Sequence, residues 1–289
     1  MTVHSYVLSQ QEFVDRHSLT YPFEERGLQF GDGVYEVIRV YNGDYYLKKE
    51  HVDRLFRSAE AVKIKLPFTK EELDANLRQL LSQNNVTDDA KVYLQATRGS
   101  ATRDHAFPTV EANFYAYVED LPRPEDKLRN GVSAILRPDE RWQNCYIKSL
   151  NLLPNVLAKQ EAKEHGAYEA ILHRDEKVTE CSSSNIYIVK KGTVYTHPET
   201  NQILHGCVRG RIKQLACQDN IPFVEAAFSV AQLMDADEVF VTSSTSEVMP
   251  IVHIEDQRIG DGKPGPITCK LQHAYAADAK IADYSMLQS

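Results

Sequence analysis

Asn144-Cys145-Tyr146-Ile147-Lys148-Ser149-Leu150-Asn151-Leu152-Leu153 carries a single charge, the ammonium of Lys148, and Glu180-Cys181-Ser182-Ser183-Ser184-Asn185 follows it downstream. An ammonium taken out of water loses its proton more readily, and the neutral amine can then attack a carbonyl to form a Schiff base. A lone lysine in apolar surroundings, followed by an acid and a hydroxyl-rich turn, is the set that an aldehyde cofactor such as pyridoxal 5′-phosphate (PLP) requires. Each part has a plainer reading on its own. Lys148 could end a strand with its stem lying along apolar surface and its head in water. Glu180 could be a turn acid after Asp175-Glu176-Lys177, and serine runs mostly cap helices or form turns.

Outward from these segments, 289 residues suffice for two domains or one large one, and 42% hydrophobic with 26% charged residues is an ordinary globular composition. A formal net charge of −8 with no long Lys/Arg block argues against nucleic acid as a partner, while leaving room for a basic site for a small anion. Five cysteines without CxxC spacing favour neither a disulfide framework nor a metal cluster, so no metal is expected and a reducing compartment fits. The start, Met1-Thr2-Val3-His4-Ser5-Tyr6, lacks the basic and apolar regions of a signal peptide, and no apolar run approaches a membrane span. A cytoplasmic protein with no membrane partner is expected.

Val34 to Tyr41 is rich in β-branched and aromatic residues and is followed by Asn42-Gly43 and Tyr45-Tyr46-Leu47, a hairpin pattern. Val52, Leu55, Phe56, Ala59 and Val62 then recur at helical spacing, and Thr69 with Glu72 forms a capping box ahead of Leu73, Leu77, Leu80 and Leu81. Lys91 to Thr97 and Ala112 to Val118 read as strands around a polar loop with Arg103-Asp104-His105. The prolines and charges of 121–126 predict a linker between a domain at 1–120 and a second at 127–289. Beyond it, strands are expected at Gly131 to Arg137, Asn144 to Lys148, Tyr168 to His173, Asn185 to Lys190, Thr193 to Thr196 and Glu238 to Thr242. Helices are expected at Val156 to His165, about Val208 to Asp219, Val230 to Asp235 and Ile267 to Ala282. Strand-rich halves with inserted helices predict two α+β domains.

Several further groups could bind anions. Gly206-Cys207-Val208-Arg209 stands at a predicted helix start, where backbone N–H groups and the helix dipole form an anion cup. Ser243-Ser244-Thr245-Ser246 offers hydroxyl donors suited to a phosphate, or is a polar loop. Arg54 falls off the apolar stripe of its helix, which reads as solvated unless a phosphate draws it inward. Arg103 and His105, alternating in a loop, could face one carboxylate or simply lie exposed.

Taken together, Gly31-Asp32-Gly33-Val34-Tyr35-Glu36, Glu50-His51-Val52-Asp53-Arg54-Leu55, Lys148-Ser149-Leu150-Asn151 and Glu180-Cys181-Ser182-Ser183-Ser184-Asn185-Ile186-Tyr187 resemble the class IV aminotransferases, the fold-type IV PLP enzymes. The similarity runs from about Tyr21 to the C-terminal helix and continues through Val194-Tyr195-Thr196, Leu204-His205-Gly206 and Arg209. Within the family the chain looks most like the D-amino-acid aminotransferases. The resemblance implies a two-domain α+β fold with PLP at the domain interface and a homodimer acting on amino acids and 2-oxo acids.

By the same resemblance, Lys148 carries the cofactor and moves the substrate proton, while Glu180 pairs with the pyridine nitrogen. Arg54, the Cys207-Val208 backbone, Ser243 and Ser244 meet the phosphate. Ser183 and Ser184 support the ring region, Leu204 packs on the ring, and Tyr35 lines the substrate side. Cys207 stands where an aliphatic residue is usual and Val208 where relatives often have threonine, which implies a looser hold on PLP. Arg103 and His105 match an Arg-x-His pair that, in the D-amino-acid enzymes, binds the substrate α-carboxylate from the neighbouring subunit. A D-amino-acid transaminase using donors such as D-alanine and acceptors such as 2-oxoglutarate is therefore expected. A branched-chain L-aminotransferase and a lyase of the aminodeoxychorismate type are the alternatives.

Overall fold

The computed structural model describes residues 2–281, and the chain divides into two compact units. One is built from the chain up to Arg123 together with Ile147–Asn151; the other comprises Pro124–Tyr146 and the chain from Leu152 onward.

The first unit contains β1 (Tyr6–Ser9), β2 (Glu12–Asp15), α1 (Arg26–Phe30), β3 (Gly33–Tyr41), β4 (Asp44–Tyr45), α2 (Lys48–Ala61), α3 (Lys70–Gln83), β5 (Ala90–Thr97) and β6 (Asn113–Asp120). Its strands form an antiparallel sheet in the order β2-β1-β6-β5-β3-β4. Alternation decides the buried face. Val34, Ile38 and Val40 of β3 join Val92, Leu94 and Ala96 of β5 and Phe114, Ala116 and Val118 of β6 in one apolar core. Val52, Leu55 and Ala59 of α2 and Leu73, Leu77, Leu80 and Leu81 of α3 close that core, each large aliphatic side chain contributing about 1.5–3 kcal/mol. The expected capping box forms on α3, with Thr69 accepting from Glu72 N and Glu72 from Thr69 N. At the β3–β4 turn Asn42 and Gly43 have φ of 49° and 77°, the two positive values that a type I′ hairpin demands.

The second unit contains α4 (Glu125–Asn130), β7 (Val132–Pro138), α5 (Leu153–Glu164), β8 (Glu169–Arg174), β9 (Lys177–Cys181), β10 (Asn185–Lys190), β11 (Thr193–Thr196), α6 (Cys207–Gln218), β12 (Phe223–Glu225), α7 (Val230–Met234), β13 (Glu238–Ser243), β14 (Glu247–Ile254), β15 (Gln257–Arg258) and α8 (Pro266–Asp278). Its sheet runs β12-β11-β10-β13-β14-β7-β8-β9, with β15 paired to β14. The β11–β12, β14–β7 and β7–β8 pairs are parallel and the others antiparallel. The antiparallel sheet with segregated helices in the first unit and the mixed sheet of the second make the α+β architecture.

Two sequence expectations differ. Asn144 to Lys148 forms turns and no strand; only Ser149 makes an isolated bridge, to Val34. Its apolar residues serve burial in a loop, Cys145 and Ile147 being buried. The closing helix ends at Asp278, and Ala282 lies outside the described residues. β14 is not evident from sequence, because its Pro250 would ordinarily argue against a strand. Pro250 is tolerated there because the pairing of β14 with β7 begins only at Ile251.

Candidate active site

Lys148 is fixed to the first unit by its main chain. Tyr35 N donates to Lys148 O (3.0 Å), Leu150 N donates to Gly33 O (3.0 Å), and Lys148 N donates to Ser58 Oγ (3.2 Å) on α2. Gly33 permits this close approach, since a Cβ there would lie 2.6 Å from Leu150 Cδ1 and 2.7 Å from Ala96 O. The lysine is partly buried, and its Nζ stands 4.1 Å from the centroid of the Tyr35 ring. Aromatic face and ammonium attract through the ring quadrupole, so Tyr35 fixes where the amine rests.

Arg54, one helical turn before Ser58, is buried rather than solvated. Its Nε and Nη2 donate to Glu36 Oε1 (2.6 Å) and Oε2 (2.8 Å), and His51 Nδ1 lies 2.7 Å from the same Oε2. Burial alone would push the Glu36 carboxyl up, but the Arg54 guanidinium and His51 overcome it and hold Glu36 well below the usual carboxylate range. The sequence reading gave Glu36 no role. The available signal was its register, because Glu36 shares the inward face of β3 with Val34, Ile38 and Val40 and an acid there needs a cation.

Arg103 and His105 lie elsewhere in this unit, exposed on the β5–β6 loop. They flank Phe30, with the Arg103 guanidinium 4.8 Å and the His105 ring 5.6 Å from its centroid. Arg26 Nη1 donates to Asp104 O (2.6 Å), Arg26 and Arg98 both pair with Asp32, and Arg98 stacks on Phe107 (3.6 Å). Buried arginines thus shape the loop while Arg103 and His105 project from it.

In the second unit Glu180 closes on a dense set of donors near the end of β9. Its carboxylate accepts from Leu204 N (3.0 and 3.1 Å), Asn185 Nδ2 (3.0 Å) and Arg141 Nη1. Burial raises its pKa above the usual value, and Arg141 opposes that rise. Arg141 also grips Asp139 through Nε and Nη2 (both 2.8 Å), a pairing that no motif in Asp139-Glu140-Arg141 announces. Ser182, Ser183 and Ser184 all direct their hydroxyls to Glu169, at 2.8 Å for Ser183 and 3.0 Å for Ser184. No motif marks Glu169 either; it precedes Ala170-Ile171-Leu172 on a strand buried on both sides.

Asn185 also donates to Leu204 O (2.9 Å), tying the serine turn to the segment that leads into α6. The 12-residue α6 begins at Cys207 behind Gly206, with no side-chain cap on its first N–H groups. A Cβ on Gly206 would overlap Asn185 Oδ1, so a larger residue there would displace the Asn185 amide from its place. Val208 is buried and Cys207 partly so. The register Asn185↔Thr242 sets the partly buried Ser243 and Ser244 just beyond the residue opposite Asn185. Ser243 Oγ accepts from Ser246 N (3.0 Å).

These groups fit PLP chemically. In the first unit Lys148 supplies an amine and Arg54 a cation suited to a phosphate; in the second the uncapped start of α6 suits an anion and Glu180 is a buried carboxylate suited to a pyridinium. Among the described residues, no group of three or more His, Cys, Asp or Glu could hold a metal ion.

Residues 33–254 match the family model for amino-transferase class IV. A D-alanine aminotransferase of Staphylococcus haemolyticus is 47% identical over 266 residues, covering 91% of this chain and 94% of that protein. A D-alanine aminotransferase of Listeria monocytogenes serotype 4b (strain F2365) is 46% identical over 273 residues, covering 93% and 94%. The solved branched-chain aminotransferase of the thermophilic archaeon Thermoproteus uzoniensis with norvaline matches at a TM-score of 0.89 and 25% identity, covering 97% of this chain and 96% of that one. The chain belongs to the class IV aminotransferases, a PLP-dependent family.

Proposed function

We propose that this aminotransferase moves the amino group of D-amino acids such as D-alanine to 2-oxo acids such as 2-oxoglutarate, and that Arg103 and His105 select the substrate by its α-carboxylate. The observation that carries the reading is the exposed Arg103/His105 pair on either side of Phe30, on a loop held by Arg26. A planar guanidinium fork beside an imidazole donor suits a carboxylate. The two D-alanine aminotransferases at 46–47% identity support the same substrate class.

Bound PLP supplies an aldehyde that condenses with amines and a cationic ring that draws electrons from the substrate Cα. In this reading the chain does the rest. Lys148 Nζ would hold the cofactor through its aldehyde and would serve as the base that holds and moves the substrate Cα proton. Tyr35 lines the substrate side and steadies that amine. Glu180 keeps a proton on the ring nitrogen, and Leu204 covers the ring. Arg54, the Cys207-Val208 backbone, Ser243 and Ser244 hold the phosphate. Ser183 and Ser184 support the ring region through Glu169, to which they are bonded.

The proposal includes a homodimer, as a carboxylate-binding Arg103/His105 pair supplied across subunits requires. One face of the first sheet carries Tyr35, Tyr93, Tyr115 and Tyr117, partly exposed and in mutual ring contact at 5.4–6.5 Å, an amphipathic surface suited to a second copy. A monomer mass by sedimentation would remove this part. A cytoplasmic setting is also proposed: all five cysteines are free, and no helix among the described residues is long and apolar enough to cross a membrane. Recovery of the protein outside the cytoplasm on cell fractionation would remove it.

The test is a donor panel of paired D- and L-amino acids with 2-oxoglutarate. Turnover of the D-series, with L-leucine and L-valine inert, is expected. Preference for the branched L-amino acids would overturn the reading.

A further inference from the structure

Arg141 divides one guanidinium between two buried carboxylates. Its Nη1 bonds Glu180, while Nε and Nη2 bond Asp139 Oδ1 and Oδ2 at 2.8 Å each. The Asp139 side chain is fully buried and wholly engaged. Its Oδ1 also accepts from Arg141 N (3.1 Å), its Oδ2 accepts from Thr179 Oγ1 (2.8 Å), and Arg174 Nε lies 3.1 Å from Oδ2. Thr179 is the residue before Glu180 on β9, so the same strand bears both ends of the relay. Asp139 N donates to His173 O (2.8 Å), which fixes the acid at the end of β7.

The charges balance only as a set. Asp139 and Glu180 are offset by Arg141 and Arg174, and the nearby thiol of Cys145, pushed up to about 11 by burial, adds none. Burial would raise the Asp139 carboxyl, but Arg141, Thr179 and Arg174 bring it down to about 2, so it stays ionised at working pH. Without Asp139, the charge of Arg141 would bear on Glu180 undivided, and the cluster would carry a surplus positive charge. A second cation beside Glu180 then becomes harder to form.

We propose that Asp139 is a positioning residue for the ring nitrogen of bound PLP: by holding Arg141 it limits the positive charge acting on Glu180, and so keeps that nitrogen protonated. The inference rests on the reading of Glu180 given under Proposed function.

The test uses holoenzyme loaded with ring-15N PLP, in which the nitrogen resonance tracks how far the proton lies on the ring. Asp139→Asn, which keeps the shape of the site, is expected to move the resonance toward unprotonated pyridine. The nitrogen pKa should fall by about one unit, roughly a tenfold loss of proton affinity, as for a unit charge acting over about 10 Å at an effective dielectric of about 20. Asp139→Glu should restore much of it, and Arg141→Met should move the resonance the other way. If Asp139→Asn does not fold, the direction of the Arg141→Met shift decides: no movement, or movement toward unprotonated pyridine, overturns the proposal. An unmoved resonance in Asp139→Asn alongside a moved one in Glu180→Gln also overturns it. If Glu180→Gln itself leaves the resonance unmoved, the assignment of Glu180 is what fails.

Discussion

Replacing Glu36 by glutamine removes one charge from a fully buried site while keeping its volume, and takes from the buried Arg54 guanidinium the carboxylate that its Nε and Nη2 bond. Breaking one side of a buried ion pair costs about 3–5 kcal/mol. At roughly 4 °C per kcal/mol for a domain of this size, the Tm of the apoprotein should fall by about 12–20 °C. The pH dependence carries a sign. Burial would raise the Glu36 pKa, but Arg54 and His51 depress it well below the ordinary 4.5. A depressed carboxyl contributes stability that is fully present above the unfolded value and is lost as pH falls toward the folded one. The gap between wild type and Glu36→Gln should therefore stay level at neutral pH. Below the unfolded value of 4.5 it should narrow, by about 1.4 kcal/mol per pH unit. Differential scanning calorimetry of both apoproteins across that range is the assay. A Tm fall smaller than about 4 °C, or a gap that widens on acidification, would refute the account of Glu36 as the anchor of Arg54.

Two further outcomes are expected. Borohydride reduction of the holoenzyme followed by peptide mapping should find the cofactor on Lys148 Nζ; label on any other lysine removes Lys148 from its role. Arg103→Ala should raise KM for D-alanine and for 2-oxoglutarate by roughly 10- to 100-fold, the loss of a charge-assisted hydrogen bond of about 1.5–3 kcal/mol, with PLP affinity unchanged. Equal KM values in wild type and variant would take the carboxylate role from Arg103.

Elements whose cause is local were legible in the sequence. The Thr69 capping box, the Asn42-Gly43 turn and the inward alternation of β3 are each decided within a few residues, and each stands where the pattern puts it. What escaped depends on distant partners. Arg54 lies off the apolar stripe of α2, and its buried place depends on Glu36, 18 residues earlier, which its Nε and Nη2 bond. Arg141 and Glu180 are 39 residues apart, and the spacing that lets Arg141 reach Asp139 two residues back is common in exposed turns. The apolar character of Asn144 to Lys148 was read as a strand because burial and strand formation leave the same short imprint on composition. Motif order, rather than any one spacing, carried the functional reading of Lys148 and Glu180.

The segment Ile147–Asn151 belongs to the first unit although the residues on both its flanks belong to the second. The polypeptide therefore passes from one unit to the other at three places: after Arg123, before Ile147 and after Asn151. No single cut releases either body whole. A fragment beginning at Pro124 would carry the amine but forfeit the main-chain hydrogen bonds from Tyr35 and to Gly33 that seat it. A fragment ending at Arg123 would have the seat but lack Lys148. Dissecting this enzyme, or recombining its halves with those of relatives, must treat these five residues as cargo of the N-terminal body, whatever their place along the chain.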